Sequence, residues 1–237
     1  MKIWGITDIG LVRSENQDSY RIKQLDGAAA LTVVCDGMGG ARGGNVASSL
    51  AADAFASEVE GAFAAQEPQK LLMDAVAAAN EKVFSTAMSN PEYRGMGTTL
   101  VAALVTPEKI WIANVGDSRC YRIQDGDIGR VTRDHSFVED LVLRGEITPE
   151  QARVHPKKNL ITRAVGVDHT VKTDVFECEN HGGYLVLCSD GLSNQVTDEE
   201  IRSEVVAEDK ENCCQRLLNR ALEKGAPDNV TVVIVQL

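Results

Sequence analysis

Four aspartates recur in one kind of setting. The run LTVVC leads into Asp36-Gly37, and YLVLC leads through Ser189 into Asp190-Gly191. IWIANV ends in Gly116-Asp117, and Asp228 stands just before VTVVIVQ. Each carboxylate adjoins a segment that a core must bury, so strand ends in shared sheets can bring all four together. Carboxylates crowded in a low dielectric repel one another and shift their pKa values upward. A divalent cation removes that penalty. All-oxygen donors, without His-x-His or paired cysteines, favour Mg²⁺ or Mn²⁺ over Zn²⁺. Glycine after the aspartate lets a backbone carbonyl approach the metal as well. A lone Asp-Gly is ordinarily a turn, and Asp26-Gly27 and Asp125-Gly126, which lie between alternating segments, are read as hairpin turns.

The elements that must position these residues follow from periodicity. Strand-like segments fall near 2–8, 18–24, 29–35, 98–105, 109–115, 118–123, 173–178, 184–188 and 230–236, the last rich in β-branched residues. Two long helices fit between 43 and 89, with Ala47, Leu50, Ala51, Ala54 and Phe55 on one face and Leu72, Val76, Ala79 and Val83 on another. A third starts at the capping box Thr197-Asp198-Glu199-Glu200. A fourth carries Cys214, Leu217, Leu218, Ala221 and Leu222, and stops near Gly225-Ala226-Pro227. Strand groups around helix pairs predict an antiparallel α+β layered fold. Residues 136–160 are polar, with short helical pieces, and read as a surface insertion. No linker or repeat divides the chain, so residues 1–237 are expected to form one domain.

Composition narrows the function. The 237 residues carry a net charge of −11, a surface that disfavours broad contact with nucleic acid or anionic membrane and suits cation binding. A metal-dependent nuclease would share the carboxylates, but the chain has no basic stripe. No apolar run approaches the roughly 20 residues of a membrane helix. MKIWGITDIG lacks a signal core, so a cytoplasmic protein is expected. The six cysteines form no C-x-x-C pair and are read as free thiols. Cys35 and Arg42 mimic the cysteine phosphatase loop C-x₅-R, but the spacing is one residue too long and Asp36 would raise the thiol pKa. No G-x-x-x-x-G-K-[ST] phosphate loop occurs.

In sequence order, TDIGLVRSENQDSY, VVCDGMGG, GMGTTLVAALV, ANVGDSRCYRI, TRDHSFVEDLV, HPKKNLITRAVG, LVLCSDGLSN and PDNVTVVIV together resemble the bacterial form of the metal-dependent type 2C serine/threonine protein phosphatases. The resemblance spans nearly the whole chain. It implies a four-layer α-β-β-α sandwich, two antiparallel sheets flanked by helix pairs, with a metal cleft at one end. It further implies that Asp36 bridges two Mn²⁺ or Mg²⁺ ions and that the Gly37 carbonyl serves one of them. Asp190 and Asp228 would bind the other, and Asp117 with Asp190 a weaker third ion. Asp18 would hydrogen-bond water at the metals, Arg13 would hold the substrate phosphate (its alternative being a surface salt bridge), and about 136–160 would be a flap beside the cleft. The activity implied is hydrolysis of phosphoserine and phosphothreonine in proteins by a metal-activated water, reversing a bacterial Ser/Thr kinase, in a monomer.

The rival reading is a non-catalytic relative that binds phosphoprotein or metal; loss of Asp36, Asp190 or Asp228 would be its signature, and all three are present. Three departures from the family pattern stand out. Gln17 replaces the commoner glutamate of the first acidic motif, Ala41 replaces a histidine after DGMGG, and Met38 stands where eukaryotic relatives have another histidine. The last two leave the proton donor to the leaving group unassigned. His135 and His155, near the flap, are read as structural or surface residues.

Overall fold

The apolar runs have no polar side because both faces of their sheets are covered. The computed structural model describes residues 1–39 and 43–237; Ala41 and Arg42, singled out above, lie outside the described residues. One sheet has the order β2 (Asp18–Gln24), β3 (Ala30–Met38), β5 (Leu100–Val105), β6 (Lys109–Val115) and β9 (Asp174–Glu179), with the short β4 (Gly97–Thr98) paired to the end of β3. The other runs β1 (Lys2–Asp8), β11 (Val230–Gln236), β10 (Tyr184–Cys188), β7 (Arg119–Gln124) and β8 (Asp127–Arg130). All the pairings between these strands are antiparallel.

Because successive side chains point to opposite faces, each central strand serves two cores. Leu31, Val33 and Cys35 of β3, with Leu100, Ala102 and Leu104 of β5, meet helices α1 (Gly44–Ala62) and α2 (Pro68–Ser89). Val34, Val101, Ala103 and Val105 point the other way, against Leu185, Leu187, Val233 and Val235 of the facing sheet. Val186, Val232 and Ile234 then meet α5 (Asp190–Ser193), α6 (Asp198–Val206) and α7 (Cys213–Glu223) through Leu192, Ile201, Val205, Leu217 and Leu218. Four layers result, α-β-β-α.

Local chemistry explains the connections. Asp125 (φ 53) and Gly126 (φ 89) both take positive φ, the requirement of a two-residue type I′ hairpin, and join β7 to β8. Asp26-Gly27 closes the β2–β3 hairpin through a 3₁₀ turn, with Leu25 N–H bonded to the Ala29 carbonyl at 2.9 Å. Thr197 caps α6 in the expected box with Glu200. Between β8 and β9 the 136–160 segment carries α3 (Phe137–Leu143) and α4 (Pro149–Arg153). Its two ends are drawn together by a bridge between Ser136 and Ile161 and by Phe137 N–H on the Leu160 carbonyl at 2.8 Å.

The sequence reading is corrected in four details. Strand β3 continues to Met38, so Asp36 belongs to the strand rather than following it. The run 98–105 breaks at Thr99 into β4 and β5. Asp190 opens a helical turn, α5, and β8 was not foreseen. All six cysteines are free. Burial pushes the Cys35 thiol above its usual range, which removes it further from nucleophilic use. Among the described residues no helix is long and apolar enough to cross a membrane.

Candidate active site

Strand direction gathers the aspartates at one end of the sandwich. Asp18 starts β2 directly opposite Asp36 near the end of β3. Cys188, the last residue of β10, faces both Val232 near the start of β11 and Arg119 at the start of β7, so Asp190, Asp228 and the β6–β7 link lie at that same end. The link Gly116-Asp117-Ser118 carries the chain from one sheet to the other, which sets Asp117 on the seam between them. A cleft of about 460 Å³ opens there, with Arg13, Asp36, Gly37, Asp117, Asp190 and Asp228 in its walls. Of the residues given a catalytic or metal-binding role from sequence, Asp18 does not line it; Asp18 is 7% exposed and lies beneath, and His135 and His155 are also outside its walls.

The backbone of Asp36 is fixed by two threonines. Its N–H donates to Thr99 Oγ1 at 2.9 Å, and its carbonyl accepts from Thr98 Oγ1 and from Thr99 N–H, each at 2.9 Å. Thr99 Oγ1 also pairs with Ser118 Oγ at 2.7 Å, so one hydroxyl joins Asp36 to the Asp117 turn. Gly116 has φ 102, and a Cβ there would come within 2.6 Å of Thr99 Cγ2. Only glycine fits so close an approach. Gly37 is equally confined, since an added Cβ would stand 2.0 Å from the Gly44 carbonyl oxygen.

Asp18 Oδ2 accepts from Ser189 Oγ and Thr231 Oγ1, both at 2.7 Å. Its other oxygen is buried with no hydrogen-bond donor, and so is Asp190 Oδ1. Asp190 Oδ2 accepts from Asn194 Nδ2 at 2.9 Å. Asp228 Oδ1 takes the Asn229 N–H at 2.9 Å, and Oδ2 takes Arg13 Nη2 at 2.7 Å. Arg13, read as the phosphate holder, is therefore ion-paired to a residue read as a metal ligand. Its side chain is 55% exposed.

Electrostatics follow from this crowding. Loss of water raises the Asp36 carboxyl well above the usual range, and Asp18, Asp190, Asp117 and Asp228 add to the rise. Asp117 is raised by burial, then by Asp190 and Asp134. Burial brings Asp18 to about 7 despite its two hydroxyl donors. Asp190 reaches about 6, chiefly by burial and then by Asp228. Except for Asp18, these groups keep some exposure to the cleft, yet each is ringed by protein and like charge. Among the described residues, no three Asp, Glu, His or Cys side chains close on one point as a finished ligand group. The donor set nonetheless fits a hard dication: every ligand atom is oxygen, and two buried carboxylate oxygens have no donor.

Sequence reasoning missed the scaffold around these groups. Asn229, 5% exposed, accepts Gln17 N–H at 2.8 Å and donates to the Ile9 and Glu15 carbonyls at 2.9 and 3.0 Å. It staples the loop bearing Arg13 to the start of β11. Its place in PDNVTVVIV beside Asp228 was the available signal. For Thr99, Ser189 and Thr231 the signal was a polar residue inside or beside an apolar run.

The family model for protein phosphatase 2C matches residues 12–225, and the chain belongs to that family. It is 37% identical to the serine/threonine phosphatase stp of Listeria innocua, over 97% of this chain and 93% of that one. The crystal structure of the serine/threonine phosphatase Stp1 from Staphylococcus aureus superposes with a TM-score of 0.91 at 39% identity, covering 100% of this chain and 94% of that chain. The catalytic domain of the serine/threonine protein phosphatase PstP, crystallised with two manganese ions, superposes with a TM-score of 0.89 at 36% identity, covering 99% and 97%.

Two predictions arise from this geometry. Asn229→Ala strips one donor and two acceptors of their partner and should lower stability by ~2 kcal/mol or more. Amide hydrogen exchange in residues 9–17 should quicken beyond what that loss alone causes elsewhere; unchanged exchange there would show that the loop does not depend on Asn229.

The second concerns pH. Asp18 at about 7 and Asp190 at about 6 hold protons more tightly folded than unfolded. Their contribution to stability is complete below about pH 4 and drains away as pH rises through these values. In excess chelator, thermal unfolding should occur at a lower temperature at about pH 8 than at about pH 5.5. Saturating Mn²⁺ should raise Tm more at the higher pH. An equal rise at both would contradict the electrostatic account.

Proposed function

We propose that this chain hydrolyses phosphoserine and phosphothreonine in proteins, using two Mn²⁺ or Mg²⁺ ions held by Asp36, Gly37, Asp190 and Asp228. A weaker third ion is shared by Asp117 and Asp190. The observation that carries this reading is the ring of carboxylates at the seam of two sheets, buried enough to raise their pKa values and all oxygen in donor type. The printed descriptions of the relatives as serine/threonine phosphatases support the same reaction. A non-catalytic relative is disfavoured, because Asp36, Asp190 and Asp228 are all present and converge on one cleft.

When bound, the cations supply an activated water and offset charge on the phosphoryl oxygens. The chain's own residues do the rest. Asp18, locked at Oδ2 by Ser189 and Thr231, leaves a buried Oδ1 without a donor beneath the cleft, where it would accept a hydrogen bond from a water held on the metal side. Arg13 sits on a largely exposed stem, and such an ion pair contributes no more than about 1 kcal/mol, so its hold on Asp228 is easily exchanged for phosphate oxygens. The planar guanidinium then grips two of them at once. A second cleft of about 520 Å³ shares Asp117 and Asp190 with the first and is walled by Val138 and Val142 of α3 and Pro149 of α4. That supports the 136–160 segment as a flap over a bay for residues flanking the phosphorylated side chain. Six free thiols are consistent with a reducing compartment such as the cytoplasm; that the protein acts as a monomer opposing a Ser/Thr kinase rests on the family resemblance alone.

Hydrolysis of a phosphothreonine peptide should require added Mn²⁺ or Mg²⁺ and vanish in excess chelator. Asp36→Ala should abolish turnover in saturating metal while the protein stays folded. Full activity in chelator, or near-normal kcat in Asp36→Ala, would remove the mechanism.

Gln17 lines the cleft beside Gly37. A neutral amide oxygen is a poorer ligand for a hard dication than a carboxylate. Gln17→Glu should therefore lower the Mn²⁺ concentration giving half-maximal activity, with little change in kcat at saturation. An unshifted titration would mean that Gln17 serves only its protein neighbours.

A further inference from the structure

His135 is 5% exposed and makes more polar contacts than a buried core histidine needs. Its backbone N–H donates to the Gly116 carbonyl at 2.9 Å, and its ring Nδ1 accepts the Gly116 N–H at 3.1 Å. Both backbone polar groups of Gly116, the residue before Asp117, are thus held by one side chain and its own backbone. On the far side of the ring, Nε2 lies 3.1 Å from Asp174 Oδ2. Arg163 Nη1 donates to Asp174 Oδ1 at 2.8 Å and stands 3.0 Å from Nε2.

These partners assign the tautomer. A backbone N–H can only donate, so Nδ1 is an acceptor and the ring hydrogen is on Nε2, aimed at Asp174. Burial, which lowers the imidazole pKa, agrees with a neutral ring. His135 also stands at the foot of the 136–160 segment. Its carbonyl accepts Thr162 N–H at 2.8 Å, next to the Ser136–Ile161 bridge that joins the two ends of that segment.

We propose that His135 is a positioning residue for Asp117: it clamps Gly116 from one side while Thr99 and Ser118 hold the turn from the other, and so ties the base of the flap to the carboxylate of the weaker ion site. The inference rests on Asp117 as a ligand of that ion. Gly116 has φ 102 and no side chain, so the turn has no rigidity of its own and its geometry is set by these neighbours. A carboxylate on the seam between two sheets then inherits its direction from His135.

Mn²⁺ binding to the full chain, followed through the EPR signal of the free ion, tests this without recourse to activity. His135→Ala should weaken the weakest Mn²⁺ equilibrium about tenfold, the low end of what loss of an outer-shell partner does, and leave the two tighter ions bound. In His135→Asn the Oδ1 atom takes the place of Nδ1 and should restore most of the affinity. His135→Gln reaches only toward Asp174 and should not. Adding His135→Ala to Asp117→Ala should change the isotherm no further. Should Asp117→Ala retain the weakest ion, the ligand reading falls and this inference falls with it. If Asp117→Ala loses that ion while His135→Ala keeps it, the inference alone is overturned. Equal loss of Tm in the Ala, Asn and Gln variants with an unshifted isotherm would also overturn it, leaving His135 a purely stabilising residue. If His135→Ala does not fold, the contrast between Asn and Gln decides: recovery in Asn only supports the clamp, and identical isotherms overturn it.

Discussion

Like charges held close together out of bulk water are the constraint on which this structure turns. Asp36 is raised by its loss of hydration and then by four other aspartates, each of which the fold could have kept apart. Left to themselves these groups would separate or take up protons. Two devices keep them in register. Their strands are buried on both faces, so a shift of one residue along β3 or β11 would exchange helix-facing for sheet-facing side chains throughout two cores. The aspartates are also spread over both sheets, which makes the packing of one sheet on the other part of the site's geometry.

Neutral groups do the local holding. Thr98 and Thr99 fix the backbone of Asp36, Ser189 and Thr231 fix one oxygen of Asp18, and Asn194 fixes one oxygen of Asp190. A hydroxyl or amide orients a carboxylate without cancelling its charge, whereas a lysine or arginine at the same place would compete with a cation. Arg13 crosses that division at Asp228, 2.7 Å from its Oδ2, but Arg119 respects it. Arg119 is committed to Asp134 by three contacts, at 3.0, 3.1 and 2.6 Å, and does not reach Asp117 or Asp190 with a hydrogen bond. The negative field is therefore preserved inside the cleft and neutralised at its margin.

Much of the layout was legible from sequence because the same double burial that fixes register also writes itself as unbroken apolar runs. β10 and β11 stand out for this reason, and the helices between 43 and 89 show their faces through spacing. What could not be read depends on partners far along the chain. Asn229 looks like any polar residue ahead of a strand; its value comes from Glu15 and Gln17, 214 and 212 residues earlier. His135 reads as a surface-segment histidine until Gly116 and Asp174, 19 and 39 residues away, close around it. The break at Thr99 was hidden because threonine is at home in a strand, and only its bonds to Asp36 and Ser118 explain the interruption.

Arg13 shows how the margin and the centre of the cleft are joined. Its loop is held at both ends: Leu11 N–H bonds the Ala226 carbonyl at 2.9 Å, and Asn229 secures Glu15 and Gln17. Gly10, with φ 75, passes so close to Asp228 that a Cβ would stand 2.2 Å from its carbonyl oxygen. The backbone on either side of Arg13 is thus rigid while the guanidinium stays mostly in water. A rigid base with a mobile cation suits a group that must leave one anion for another. If Arg13 and Asp228 have the roles proposed above, Asp228 Oδ2 and an arriving phosphate would compete for the same fork of N–H donors, and a cation seated on Asp228 would tip the competition toward the phosphate. On the roles proposed above, phosphate grip and metal occupancy would be coupled through the single Arg13–Asp228 ion pair.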